Sequence, residues 1–384
     1  MKTLLSIREK CLFSYAKLLF RNERNFGFKA TRLTDRSLLR ISGSDSLSFL
    51  QTLLTNDIRC LEHVNCMFSY LLNVNSRILA DLIVYRTNDF ISPDKRLLVL
   101  NPVTKKYFGV GGQHDDKVLI ECDSKLATAL SKTLFAIKIR KDVKIEFATE
   151  YDIWAIYPND ENADLSRISE IASEDLIFVV DPRTHLLGYR CLTRLGTSNL
   201  QQLKNITQNL IDYSLTQSSI TAYREFRYKL GVCEGIRDFG HARYSFYDCN
   251  GHLLNAGSNK KGLFVGEKMI SKNHNLVQCM RPVMFENVDV NRIYPGSSLV
   301  SLNDERVLGY VQSVQGKSGI ALLKISDQFD KEYKMFHPES ETTVTTNKPL
   351  WWALALNRLH ADQNYQIMKD KVTLNQISTL SLTG

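Results

Sequence analysis

The chain has 384 residues, 43% hydrophobic and 23% charged, the make-up of a globular protein of two or three domains. That excludes a disordered tail, a collagen-like rod and a disulfide miniprotein, and the apolar run at 350–356 is far short of the ~20 residues of a membrane-spanning helix. The net charge is +8, but the first 32 residues hold eight cations against two acids, so the rest is nearly neutral and bulk charge gives no support to a nucleic-acid partner.

Leu4, Leu5, Ile7, Cys11, Leu12, Tyr15, Leu18 and Leu19 recur at near-helical spacing with cations between them. Residues 1–30 therefore read as a basic amphipathic segment, either a mitochondrial targeting sequence or an ordinary surface helix. Arg8, Glu9 and Lys10 interrupt the apolar stretch and argue against a secretory signal. The eight cysteines are scattered without a C-x-x-C pair, which favours a reducing compartment and gives no zinc or cluster-binding spacing.

Leu38 to Ile41 is a short strand. Ser44 is placed as N-cap of a helix whose apolar face is Leu47, Leu50, Leu53 and Leu54, ending at Thr55-Asn56-Asp57. Met67–Leu72 and Ile78–Tyr85 read as a hairpin turning through Asn73–Arg77. Leu97–Leu100 and Lys117–Glu121 are strands, with a flexible insertion around Gly109, Gly111 and Gly112. A helix is expected over Ser124–Ile137, capped by Asp123 or Ser124, then strands at Val143–Phe147 and Ile153–Tyr157. The mixture lacks a strict βαβ rhythm, so the fold class is α+β. From about Leu276 short strands, at Leu299–Leu302, Val307–Val314 and Ile320–Ile325, with a Gly-bearing turn at 315–319, predict a small β-barrel.

Three ordered segments carry a resemblance. They are Leu33–Ser37 running to Thr55-Asn56-Asp57; Ser69–Asn73 with Arg77–Leu82; and Tyr228–Val232 followed by Lys261–Lys268. Together, with the late Trp351-Trp352 pair, they resemble the family of the glycine-cleavage T-protein, the bacterial folate-binding protein YgfZ and the mitochondrial iron–sulfur assembly factors. The resemblance implies a three-lobed cloverleaf body with a central pocket over 31–275 and a barrel with tail over 276–384. It also implies help in maturing four-iron–four-sulfur clusters in the mitochondrial matrix, beside A-type scaffold proteins, as a monomer or transient heterodimer. Tetrahydrofolate is the ligand that the wider family implies, and a cluster shared with the partner is the cargo.

The signature departs from the family's K-G-C-Y/F-x-G-Q-E. Leu263 stands where the cysteine belongs, and Glu267-Lys268 replace Q-E. Leucine has no donor atom, so no cluster can be held at that position. Lys261, Gly262 and Gly266 survive as ligand-loop candidates or as a plain turn. Cys233 and Cys249, and behind them Cys279, are the replacement thiols, each also readable as a small buried hydrophobe.

Asp248 and Asn250 match the family's acid and asparagine, which could read the aminopyrimidine edge of a pterin. Asp248 is one methylene shorter than the family's glutamate, and a polar loop is the alternative. Asp81 matches the acid that supports one-carbon transfer in the T-protein; a salt bridge to Arg77 or another cation is its structural alternative. Tyr70 joins these as a pocket residue. Asn56 and Asp57 either line the pocket or cap the preceding helix, and Arg77 either binds a ligand carboxylate or stands in solvent. Three functions follow: an assembly factor acting by binding, a folate-dependent aminomethyltransferase using Asp81, or a degenerate paralogue serving as an interaction module.

Overall fold

The computed structural model describes residues 27–357 apart from 88–96, 101–106, 111–116, 160–169, 174, 195–199, 208–213, 259–260, 263, 268–276, 287–291 and 325–331. The described residues open with β1 (Gly27–Arg32) and β2 (Arg36–Ser42), then α1 (Ser46–Gln51), β3 (Cys66–Leu72), β4 (Ile78–Arg86), β5 (Leu97–Leu100), β6 (Tyr107–Val110), β7 (Val118–Asp123), α2 (Ser124–Ile137) and β8 (Lys144–Phe147). It continues through β9 (Tyr151–Pro158), β10 (Ile171–Ala172), β11 (Leu176–Val180), β12 (Tyr189–Arg194), α3 (Leu200–Thr207), β13 (Ser214–Gln217), α4 (Ile220–Lys229) and α5 (Gly235–Phe239).

These elements build two lobes. One is a five-stranded sheet ordered β3-β4-β7-β2-β8; the other is a six-stranded sheet ordered β10-β11-β12-β9-β1-β13. The expected hairpin is present. Every residue of β3 is buried, as are most of β4, which is why both read as unbroken apolar runs rather than alternating ones. Helix α2 has the expected bounds; the Asp123 side chain accepts from Lys125 N–H, and Ala127, Leu130 and Leu134 form the buried stripe.

The third lobe is a closed barrel of β14 (Gln278–Phe285), β15 (Ser298–Ser301), β16 (Val307–Gln315), β17 (Ser318–Lys324), β18 (Tyr333–His337) and β19 (Thr342–Thr346). It has its own core of Val283, Phe285, Leu299, Val311, Leu323 and Met335. The largest core lies where the lobes meet. Phe68 and Tyr70 from the first lobe, Ile153 and Leu192 from the second, Met280 and Ile320 from the barrel, and Trp351 pack there together.

Four expectations need correcting. Strand β1 occupies Gly27–Arg32, so residues 27–30 of the stretch assigned to the leader belong to the folded body; the rest of the leader lies outside the described residues. Part of the expected insertion is regular, because Gly109 in β6 pairs with Leu98 in β5. Helix α1 stops at Gln51, before Leu53 and Leu54, because Leu54 is drawn into a bridge with Leu71 on β3. Asp45, not Ser44, is its N-cap residue, and the Ser44 hydroxyl donates instead to Asp142.

Candidate functional site

The residues singled out from the sequence surround the β3–β4 hairpin, and most of their polar atoms are already committed. Across the hairpin Tyr70 is paired with Asp81. Asp81 is 1% exposed. Arg36 Nη1 donates to one of its oxygens at 3.0 Å and Gly235 N–H to the other at 3.1 Å. The salt-bridge alternative therefore describes Asp81, with Arg36 as the partner instead of Arg77.

Arg36 is one post in a larger buried network. Its Nε donates to Glu121 at 2.8 Å, and Tyr85 OH donates to the other Glu121 oxygen. Arg190 pairs with Glu234 and lies 3.6 Å from Glu121. Arg183 pairs with Asp181 and with Glu234, both at 2.7 Å, and Arg227 pairs with Asp238 at 3.0 Å. Four arginines thus face five carboxylates, all out of solvent. The posts come from β2, β4, β7 and β12, from α4 and α5, and from the ends of β11 and α5, so the network is the joint between the two sheet lobes.

Burial alone would raise the Glu234 carboxyl, yet Arg190, Arg183 and Arg227 hold it well below the usual carboxylate range. For Asp81 burial pushes the carboxyl up and Arg36 pulls it back. Burial likewise opposes the Arg36 charge, but Asp81 and Glu121 outweigh it and keep the guanidinium firmly protonated. Sequence reasoning missed this network. The available signal was Glu121 following the apolar run Val118–Ile120, and Arg190 standing between Tyr189 and Cys191, where charge survives only with partners.

A second cluster ties the signature loop to α1. Lys261 Nζ donates to the carbonyls of Gln51, Leu54 and Asn56, the last at 3.2 Å, and sits 5.0 Å from the centre of the Phe264 ring. A lysine that finishes the carbonyls of a helix end is a C-terminal cap. Burial lowers the ammonium to about 8, partly offset by Asp57 and Glu267. Asn56 is spent on structure: Nδ2 donates to Phe68 and Asn255 carbonyls, and Oδ1 accepts from Asp57 N–H. Asp57 caps the following turn, Ile58–Glu62, rather than the preceding helix, and pairs with Arg59. Gly266 accepts from Ser76 Oγ, and at φ +87° a Cβ there would lie 2.8 Å from the Asn73 carbonyl. Gly262 is also left-handed, at φ +81°, with open space around it. Leu263 lies outside the described residues.

Asp248 and Asn250 grip the first barrel strand. Met280 N–H donates to the Asp248 carbonyl at 2.7 Å, and Asn250 Nδ2 donates to the Met280 carbonyl at 2.8 Å. The Asp248 carboxylate accepts from Ser245 N–H and Oγ and from Gln278, and lies 3.7 Å from the half-exposed Arg77. Asn250 sits at φ +57°, a conformation asparagine tolerates, with Oδ1 buried and unpartnered.

These side chains do not fit a pterin as they stand. Both oxygens of Asp81 and both of Asp248 are engaged within the chain, and the Asn250 donor faces Met280. Nor are the candidate thiols ready ligands. Cys233, Cys249 and Cys279 are 4%, 1% and 2% exposed, and burial pushes each thiol up, away from thiolate. Tyr70 OH donates to the Cys249 carbonyl, not to its sulfur. Among the described residues no group of three or more His, Cys, Asp or Glu could hold a metal ion. A cleft of about 300 Å³ opens beside the β1–β2 turn, lined by Arg32, Thr34, Arg36, Phe147, Tyr151 and Asp152 among others.

Two sheet lobes locked by an internal charge network and followed by a closed barrel place the chain in the T-protein-like folding class. A solved glycine cleavage system aminomethyltransferase T from Bartonella henselae superposes with a TM-score of 0.57 at 15% identity, over 88% of each chain, which shows the fold. The model of the CAF17 C-terminal beta-barrel domain matches residues 279–354. The human protein named iron-sulfur cluster assembly factor IBA57, mitochondrial, is 26% identical over 334 residues, 84% of either chain. The mouse protein of the same name is 25% identical over 338 residues, and the Dictyostelium discoideum homologue is 24% identical over 63% of this chain. The resemblance read from the ordered motifs is borne out by these relatives.

Proposed function

We propose that this protein is a mitochondrial accessory factor in iron–sulfur cluster assembly that works by binding a partner rather than by turnover. The observation that carries the reading is the sealing of Asp81. A carboxylate 1% exposed, with one oxygen bonded to Arg36 and the other to Gly235 inside a charge network, is closed off from a substrate amine, which disfavours the aminomethyltransferase alternative. The relatives, matched along most of their length and named as mitochondrial assembly factors, supply the process. The partner is an A-type scaffold protein in the matrix. With leucine at 263 and every described thiol but the half-buried Cys60 out of solvent, the cluster's ligands come mostly from that partner, and this chain supplies the surface that steadies it.

The test mixes the purified chain with a cluster-loaded A-type scaffold and follows absorbance and elution volume. A co-eluting coloured species is expected. Separate elution, together with undiminished four-iron–four-sulfur enzyme activity after depletion of this protein, defeats the reading. Tetrahydrofolate titrated in a calorimeter should give no heat that Asp81→Asn removes.

A further inference from the structure

The end of α2 gathers three exposed large apolar side chains. Phe135, Ile137 and Ile139 fall within five consecutive positions and are 66%, 40% and 80% exposed. Ile139 holds φ +46°, a left-handed conformation that β-branched residues seldom adopt, and so turns outward immediately after the helix cap at Lys138. Positions 131–145 hold Lys132, Lys138, Arg140, Lys141 and Lys144 against Asp142, a net +4, which Asp45, whose carboxylate accepts from Asp142 N–H, lowers locally to +3 in a body otherwise close to neutral. The Lys138 and Lys141 ammonium groups lie 5.2 Å and 5.8 Å from the ring centres of Phe135 and Phe49, and Lys138 Nζ also donates to the Val143 carbonyl.

We propose that this tip docks on an anionic phospholipid bilayer. Large apolar side chains at the end of a helix, flanked by cations, match the interfacial mode, in which the apolar groups enter the headgroup boundary and the cations meet lipid phosphates. Exposures of 66% and 80% are those of side chains standing clear of the body. Such a knob suits a yielding surface better than a preformed protein groove. The positive charge selects anionic headgroups over neutral ones. The inference is independent of the assembly role and of the sealed Asp81.

The experiment uses the full chain and vesicles of phosphatidylcholine, with or without about one-third phosphatidylglycerol. Phe135→Trp reports entry through its difference emission against the parent. A blue shift is expected with anionic vesicles and not with neutral ones. Lys132→Glu with Arg140→Glu, both on exposed side chains, should lower vesicle affinity at least about tenfold without changing the melting temperature. Phe135→Ser with Ile139→Ser should abolish the part of binding that survives raised salt. An unshifted emission overturns the proposal, as does equal binding to neutral vesicles or unaltered binding in both double variants. Capture of polyglutamate through these side chains without vesicle binding would reassign the surface to an acidic protein and overturn it too.

Discussion

Arg36 and Asp81 meet 3.0 Å apart with both side chains at least 98% out of solvent, one from the start of β2 and the other from the middle of β4. Removing one partner leaves an uncompensated buried charge, which typically costs about 3–5 kcal/mol. Asp81→Ala should therefore lower unfolding free energy by that order, read from the denaturant midpoint. Arg36→Met combined with Asp81→Leu should be no more stable than Asp81→Ala, because Arg36 also pairs with the buried Glu121, which the double variant leaves without it. An Asp81→Ala protein as stable as its parent would mean that the carboxylate is free for other work.

The Lys261 cap gives a second prediction. Lys261→Met keeps the stem and removes three donors from the end of α1, at a cost of about 1–3 kcal/mol. Amide exchange should quicken in Leu54–Asp57 and around Phe264 and leave the barrel unchanged. The sign of its pH dependence follows from the lowered value. Between about 8 and 10.5 the unfolded lysine holds a proton that the folded one has released, so this group adds stability as pH rises through that window. Side-chain NMR of labelled lysine should show one ammonium titrating near 8.

Acid should act in the opposite quarter. Burial lowers His252 to about 4, so from 6.5 downward the unfolded state takes up a proton that the folded state refuses. Stability is then lost as pH falls from 6.5 to 4, by something on the order of 2–3 kcal/mol. His252→Phe should flatten that limb of the stability curve. Below it, Glu234 supports the fold above its ordinary pKa of 4.5, and this support disappears as strong acid protonates the carboxylate.

Gly266 gives a backbone test. At φ +87°, with Asn73 only 2.8 Å from where a Cβ would be, Gly266→Ala should cost about 1–3 kcal/mol. Gly262, left-handed but in open space, should be less sensitive because nothing lies within 4 Å of its Cβ position. Denaturation of the two variants side by side checks the order.

What could be read from the sequence was what short-range pattern encodes. The β3–β4 hairpin, α2 with its Asp123 cap and the barrel strands after 298 carry their own periodicity and turn residues. β1 was not legible because its six residues sit in the basic leader composition and gain strand structure only by pairing with β9 and β13. Helix α1 was overextended because Leu53 and Leu54 keep a helical apolar spacing while turning to meet β3. At the site, residue types were legible and their partners were not. That Asp81 needs a cation follows from chemistry; that the cation is Arg36 depends on the register of β2, β7 and β4, which no local pattern records. For Asp248 and Asn250 a pterin contact and a polar loop are equally legible; that both residues hold Met280 is a long-range contact no local pattern records.

The placement of β1 has a consequence for biogenesis. It is the first strand of the body to be synthesised, yet its neighbours end at Pro158 and Gln217. While the ribosome makes the intervening segment, Phe28 and Ala30 have no sheet to enter. The six-stranded lobe can therefore close only once Gln217 has been made, and its earliest described strand waits longest for its neighbours.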